Sequence, residues 1–358
     1  MNGTLGRTAA NTDGPPADAR LSGLDLARGV ALVGMIVVNF DVVMVPPDAA
    51  ANALAQLFQG RAAATFVVLA GIGFGLGSVT AAADSFARKT LARALFLLVL
   101  GLLNMLVFPA DIIHYYAFYF AAGLLFIRLP MWALALSIIV INAVFMALLL
   151  VLDYDLGWNW HSYDYAGLWT WRGFVRNLLF NGWHPVFPWL SFFVLGMGLA
   201  RLNLSSARTQ WTLLLAGLAI GVSVSLLSGV LMSAAGSVDP ELAVLFGTVP
   251  IPPVPLYMIA GGGAAATVSG ACLILVRHWP SQLAPFCVPG RQALSHYIGH
   301  IVVGIGTLAF LGLTGSASGS EALAAAAIYC ALMWAAALLW RRRFRRGPLE
   351  ALMRRCCG

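Results

Sequence analysis

The sequence has little charge and almost no lysine. Asp, Glu, Lys and Arg make up 10% of its 358 residues, and 60% of the residues are hydrophobic, whereas soluble domains are about one quarter charged. The mean hydropathy is +0.86. Long apolar runs recur from end to end, so the composition excludes a soluble globular protein. It predicts an all-α, polytopic integral membrane helix bundle.

The sequence also lacks C-x-x-C pairs and has almost no acidic residues in the middle of its apolar runs, and no cleavable leader is expected. Its five cysteines include no C-x-x-C pair, so neither a disulfide framework nor a zinc site is indicated. No short apolar core followed by a small-residue cleavage site occurs near the N-terminus. The net charge of +7 comes from arginines in short loops and in a C-terminal run, so no nucleic-acid partner is expected.

Ten apolar segments predict about ten transmembrane helices, because roughly 20 residues at 1.5 Å per residue cross the hydrocarbon layer. The segments lie at 24–46, 62–83, 90–109, 112–128, 131–152, 186–200, 209–235, 254–276, 292–313 and 322–340. They form a single transmembrane domain at 23–340. A flexible cytoplasmic tail is expected at 1–22 and a basic cytoplasmic tail at 341–358.

The positive charges of the loops predict the orientation. If the N-terminus is cytoplasmic, the cytoplasmic loops and tails hold 18 Lys and Arg residues and the outer loops hold 3, namely Arg61, Arg172 and Arg176. Positive charge accumulates on the cytoplasmic side of membrane proteins. We therefore expect both termini in the cytoplasm and a multi-pass protein of the bacterial cytoplasmic (inner) membrane.

The long outer loop at 153–185 is rich in tryptophan, which favours membrane interfaces. Its apolar residues Leu168, Trp171, Val175 and Leu178 share one helical face, and Arg172 and Arg176 share another. This pattern predicts an extracytoplasmic amphipathic helix lying on the outer leaflet, with an aromatic loop as the alternative.

A first group of polar residues is expected near the outer ends of the spans. It comprises Asn39 and Asp41 in the first span, Asp111 and His114 at the start of the fourth, and His184 before the sixth. Asp111 and His114 lie three residues apart and so share a helical face. A carboxylate beside an imidazole fixes its tautomer and suits it to act as a general base. The same spacing also fits an N-cap aspartate beside an interface histidine.

A second group is expected at the inner ends of the spans, and it combines basic residues with two histidines. Its members are Asp25, Arg28, Arg93, Arg291, His296 and His300. The two histidines stand at i and i+4, a spacing that suits a metal, but no third ligand is evident and no metal is predicted. The three arginines favour an anionic, phosphate-bearing ligand, although the positive-inside rule also accounts for them.

Several stretches resemble the transmembrane acyltransferase superfamily, which includes heparan-alpha-glucosaminide N-acetyltransferase and the YeiB-like bacterial membrane proteins. The first is RLSGLDLARGVALVGMIVVNF at 20–40, where the family pattern is matched by Arg20, Leu24, Asp25, Arg28, Gly29 and Asn39. The others resemble the YeiB-like branch and are FVVLAGIGFGL (66–76), GLLNMLVFPADIIHYYA (101–117), HPVFPWLSFFVLGMGLAR (184–201) and ALSHYIGHIVV (293–303).

The resemblance implies an acyl-CoA donor, with acetyl-CoA expected, bound from the cytoplasm among membrane lipids. It implies acyl transfer to a hydroxyl or amine of an extracytoplasmic cell-envelope glycan or lipid, with a histidine as general base. The matching positions are Asp25, Arg28, Asn39, Asp111 and His300. The eukaryotic enzyme has its active histidine in the loop after the first span. Residues 41–61 contain no histidine, so the base would be His114, His184 or His300.

Two other functions fit the same residues. A transporter or flippase for an envelope lipid or a small metabolite would also need polar groups on both sides of the bundle. A non-catalytic membrane partner of an envelope machine would need none of them to react. The near absence of acidic residues in mid-span weighs against a cation-coupled pump.

Overall fold

The computed structural model describes residues 17–46, 49, 52–80 and 82–358. In chain order the helices are α1 (Ala17–Met44), α2 (Ala53–Phe58), α3 (Arg61–Thr80), α4 (Ala83–Met105), α5 (Ile113–Phe126), α6 (Met131–Val151), α7 (Trp171–Arg176), α8 (Val186–Leu199), α9 (Ala207–Gly236), α10 (Pro240–Val244), α11 (Pro255–His278), α12 (Pro280–Leu283), α13 (Cys287–Arg291), α14 (Ala293–Gly299), α15 (Gly306–Phe310), α16 (Gly319–Arg341) and α17 (Pro348–Cys357). Two π-helices, Asn177–Asn181 and His300–Ile305, follow α7 and α14 directly. Two-residue strands β1 (Trp158–Asn159) and β2 (Asp164–Tyr165) pair antiparallel.

The all-α membrane architecture is confirmed, and each of the ten predicted segments corresponds in position to a helix. Seven of the described helices are long and apolar enough to cross a membrane. An eighth span arises if the bent pair Trp171–Asn181 and Val186–Leu199, 49° apart, crosses as one. Of the other two segments, α4 begins with several charged residues and α5 has 14 residues. Ten crossings therefore stay a prediction.

The centre of the bundle is formed by α1, α3, α8 and α11. In the most apolar stretch of α1, 61% of the residues are buried, and in that of α11 the share is 56%. The corresponding share is 17% in α6 and 22% in both α9 and α16, so these three helices lie at the periphery. Glycines bring α3 and α8 into backbone contact, because a Cβ on Gly71 would overlap the Phe193 carbonyl and one on Gly196 would overlap the Val68 carbonyl. Small residues permit such close packing in membranes.

The two predicted tails contain helix wherever the structure describes them. Residues 1–16 of the tail expected at 1–22, and the side chain of Arg20, lie outside the described residues, but residues 17–22 belong to α1. At the other end, α17 docks on α14, where Glu350 accepts hydrogen bonds from the Leu294 N–H (2.8 Å) and the Ser295 N–H (3.2 Å). The carboxylate thus binds free N–H groups at the start of that helix.

The residues predicted to form an amphipathic helix in the loop 153–185 fold into the short helix α7 and the π-helix that follows it. Helix α7 begins at Trp171, so Leu168 lies in the preceding turn. Trp171 is 80% exposed whereas Leu178 is buried. The helix changes to π geometry at Asn177, and this wider turn rotates the following side chains relative to those of α7. The predicted apolar face is therefore not continuous, and its last residue packs into the bundle.

Candidate active site

The hairpin of α4 and α5 positions the aspartate and histidine that the sequence singled out. A Cβ on Gly101 would overlap the backbone N of His114, so this glycine lets the first turn of α5 pack directly on α4. One turn further along α4, the Asn104 side-chain amide donates to Asp111 Oδ1 at 2.8 Å. A side chain of α4 thereby fixes the Asp111 carboxylate, which lies in the turn just before α5.

Asp111 and His114 form a completely buried pair. Asp111 Oδ2 accepts from the His114 backbone N–H at 3.0 Å and lies 3.1 Å from Nδ1 of the His114 ring. Because a carboxylate can only accept, Nδ1 carries the proton and Nε2 is left as the basic nitrogen. No described residue hydrogen-bonds to this Nε2. The aspartate thus binds a backbone N–H in the first turn of α5 and orients the imidazole, and the role of His114 as general base stays a prediction.

His300 was expected near the inner face, and that placement was wrong. Its Nε2 lies 2.9 Å from the side-chain amide nitrogen of Asn39, a residue of the outer group. The span was predicted to begin at 292. The chain has already entered the bundle by then, because α13 is buried against α1, and a Cβ on Gly290 would overlap the Asp25 carbonyl. His300 therefore lies further along the bundle, toward Asn39, than a span beginning at residue 292 would place it.

Tyr297 connects the Asp111–His114 pair to the Asn39–His300 pair. Its hydroxyl accepts from the Ile112 backbone N–H at 3.2 Å and also interacts with the Asp111 carboxylate. Its ring centroid is 5.0 Å from that of His300. The side chain is 2% exposed, so the two pairs and the tyrosine form one buried polar cluster.

A cavity of about 90 Å³ opens beside this cluster. Asn39, His184 and Tyr297 supply its polar lining. A second small cavity shares several of its wall residues and reaches Asp41 and also Tyr163 of the loop 153–185. The cluster can therefore be approached from the end of the bundle that carries this loop.

His184 lies in the cavity wall, whereas His114 is behind it. The His184 ring packs 4.6 Å from the Trp189 ring and 6.0 Å from the Tyr115 ring, measured between centroids. Tyr115 in turn lies 3.9 Å from the ring of His114. Nδ1 of His184 has no hydrogen-bond partner among the described residues. His184 thus presents an unpartnered imidazole nitrogen in the cavity wall, and His114 has one behind that wall.

The structure brings together part of the predicted inner group. Asp25 pairs with both Arg28 (2.7 Å) and Arg291 (2.9 Å), joining α1 to α13. Arg93 lies elsewhere, near α17, where burial raises the pKa of the Cys357 thiol and the positive charge of Arg93 opposes that rise. His296 has an unpartnered Nε2 within the described structure. Over that same part of the chain, no group of three or more potential metal ligands comes together.

Asn104 and Tyr297 were missed by sequence reasoning. Asn104 interrupts the apolar run of α4, and a polar amide in a membrane helix was a usable signal. Tyr297 follows His296 directly, but tyrosines occur in many of these spans. Its role depends on contact with the α4–α5 turn, which is 185 residues away along the chain and leaves no local pattern.

These features define a multi-pass helical membrane protein with a buried Asp–His pair. The family model for heparan-alpha-glucosaminide N-acetyltransferase, catalytic, matches residues 20–230, and the chain belongs to this family. A second model, described as protein of unknown function (DUF418), matches residues 197–357. The resemblance stated from the sequence motifs is confirmed. No curated protein matches the sequence.

Proposed function

We propose that the protein transfers an acyl group from acyl-CoA, with acetyl-CoA as the expected donor, to a hydroxyl or amine of a cell-envelope glycan or lipid. The donor would bind from the cytoplasm and the acceptor would reach the outer cavity of a bacterial inner-membrane protein. The observation that carries this proposal is the Asp111–His114 pair, whose basic Nε2 is unpartnered among the described residues and lies behind an outward-opening cavity. The family match supports the same chemistry.

In the proposed reaction, His114 acts as general base. It takes the proton of the acceptor O–H or N–H by way of His184 in the cavity wall, while the acceptor atom attacks the thioester carbonyl carbon. The C–S bond breaks, a C–O or C–N bond forms, and the proton passes to the departing CoA thiolate. Asp111 stabilises the transient imidazolium, and His184 in the cavity wall contacts the acceptor. Asn39 and Tyr297 line the space in which the carbonyl oxygen gains charge.

The test is acyl transfer from radiolabelled acetyl-CoA in membranes that contain each histidine variant. His114→Ala and His184→Ala should each lower the rate about 10²–10⁴-fold while leaving donor binding unchanged. His300→Ala should lower transfer as well, because it removes the partner of Asn39. His161→Ala is the matched control, since His161 lies in an exposed loop.

Full activity in the His114→Ala/His184→Ala double variant would overturn His114 as the base and leave His300 as the candidate. Release of CoA without an acylated product, in the presence of envelope extract, would contradict the transferase assignment. Movement of a substrate across the bilayer with no CoA release would favour the transporter alternative.

A further inference from the structure

A large apolar groove runs along the side of the bundle between α1, α3, α9 and α11. Its volume is about 560 Å³, and its walls include Ala31, Ala62, Gly221 and Ala264. The hydroxyls at its surface bond to carbonyls of their own helices; Thr65, Ser225 and Thr267 do so at 2.8 Å. Satisfied hydroxyls offer little to a polar ligand, so the groove suits hydrocarbon chains.

Arg61 places a positive charge in the wall of this groove. It is the first residue of α3 and lies within the candidate span Ala53–Val79. Its guanidinium donates to the Leu57 carbonyl at 3.2 Å. No Asp or Glu of the described chain lies within salt-bridge distance of it. Arg61 is also one of the three basic residues assigned to the outer side, so the positive-inside rule does not account for it.

The groove adjoins the candidate active site and shares part of its wall. Phe58 and Ala62 line both the groove and the site cavity. Gly60 and Ala62, the neighbours of Arg61 in sequence, both face that cavity. Gly60 adopts a φ of +69°, which favours glycine, and its carbonyl accepts from the Tyr257 hydroxyl at 3.1 Å. The turn carrying Arg61 is thereby fixed between the two spaces.

We propose that the acyl acceptor is a membrane lipid with a phosphate in its headgroup. Its hydrocarbon chains lie in the groove, its phosphate pairs with Arg61, and its headgroup hydroxyl extends past Phe58 and Ala62 into the cavity beside His184. A water-soluble glycan would not use the apolar walls of the groove. The acyl-transfer step rests on the proposed function, whereas lipid binding in the groove does not.

Two pairs of variants distinguish specific lipid binding in the groove from unspecific contact with the surrounding membrane lipid. A Cβ on Gly221 would meet no atom within 4 Å, so Gly221→Trp can occupy the groove without disturbing the backbone. Gly229→Trp is the matched control, because Gly229 is equally open, lies on the same helix and is not among the groove residues. Arg61→Gln removes the headgroup contact, and Arg172→Gln removes an exposed charge of the outer loop.

Binding is measured in nanodiscs without acyl donor, using diazirine-labelled phosphatidylglycerol and a diacylglycerol with the same label. We expect phosphatidylglycerol to label peptides of α3 and α9 preferentially. Gly221→Trp should lower that labelling about tenfold or more. Arg61→Gln should remove the preference for the phosphate lipid. We expect that preference to be about ten- to hundredfold in the wild-type protein, the factor to which a hydrogen bond to a charged group corresponds. Equal labelling by both lipids, or equal labelling of the two tryptophan variants, would overturn the proposal.

The acceptor role is measured with radiolabelled acetyl-CoA and separation of lipid from water-soluble products. Label in the lipid fraction that is lost in Gly221→Trp and retained in Gly229→Trp supports the proposal. Label in a water-soluble glycan that Gly221→Trp does not change would overturn it and leave the proposed function standing. No labelled product with the wild-type protein, together with intact lipid labelling in the nanodiscs, would instead contradict the proposed function.

Discussion

Replacement of Asp111 by asparagine tests the histidine pair with little change in shape. The carboxylate accepts three hydrogen bonds, one from Asn104 at Oδ1 and two from His114 at Oδ2. An asparagine can keep the two His114 bonds if its oxygen takes the Oδ2 position. Its NH₂ then faces Asn104, whose own side-chain oxygen is buried and unpartnered among the described residues. Asn104 can therefore rotate its amide and accept.

The structure thus predicts that Asp111→Asn keeps the fold and the His114 tautomer and loses only the negative charge. A hydrogen bond to a charged group contributes about 1.5–3 kcal/mol, so we expect transfer from acetyl-CoA to fall about ten- to hundredfold. Asp111→Ala also loses the orientation of the imidazole and should approach the loss of a general base, about 10²–10⁴-fold.

Both variants are compared with wild type in the radiolabelled transfer assay, with thermal unfolding as the control for stability. Wild-type activity in Asp111→Ala, with the protein folded, would refute the reasoning and leave the carboxylate as a helix cap. An Asp111→Asn loss as large as that of Asp111→Ala would show that Asn104 does not rotate and that the tautomer changes.

Two further predictions concern the ends of the bundle. A single cysteine introduced at Ser162 should react with an impermeant thiol reagent added from outside, and one at Ser206 should not; the reverse pattern would invert the orientation and refute the two-sided reaction. Arg28→Gln and Arg291→Gln should each weaken CoA binding about tenfold or more, measured by equilibrium binding to folded protein; unchanged affinity in both would restrict the two arginines to pairing with Asp25.

The helices followed from the sequence because long apolar runs leave few alternatives in a bilayer. Asp111 and His114 were predictable as a pair because they lie one turn apart on a single helix. The contact of Asn39 with His300 was not, since it joins residues 261 positions apart and depends on how far α13 enters the bundle. The groove beside Arg61 was equally hidden, because its walls come from separate helices whose neighbours no local pattern specifies.

The first helix connects the two ends of the proposed reaction. Asp25, which holds Arg28 and Arg291, and Asn39, which holds His300, lie on α1 and are separated by 14 residues, or about 21 Å of helix. A donor whose phosphates were bound at the arginines would have to extend a long arm through the bundle to bring its thioester to the cavity. Acyl-CoA has such an arm in its pantetheine chain. A compact anion bound at the inner end could not reach His114 without leaving its site. The distance between the two polar groups therefore favours an extended, phosphate-bearing donor over a small transported anion.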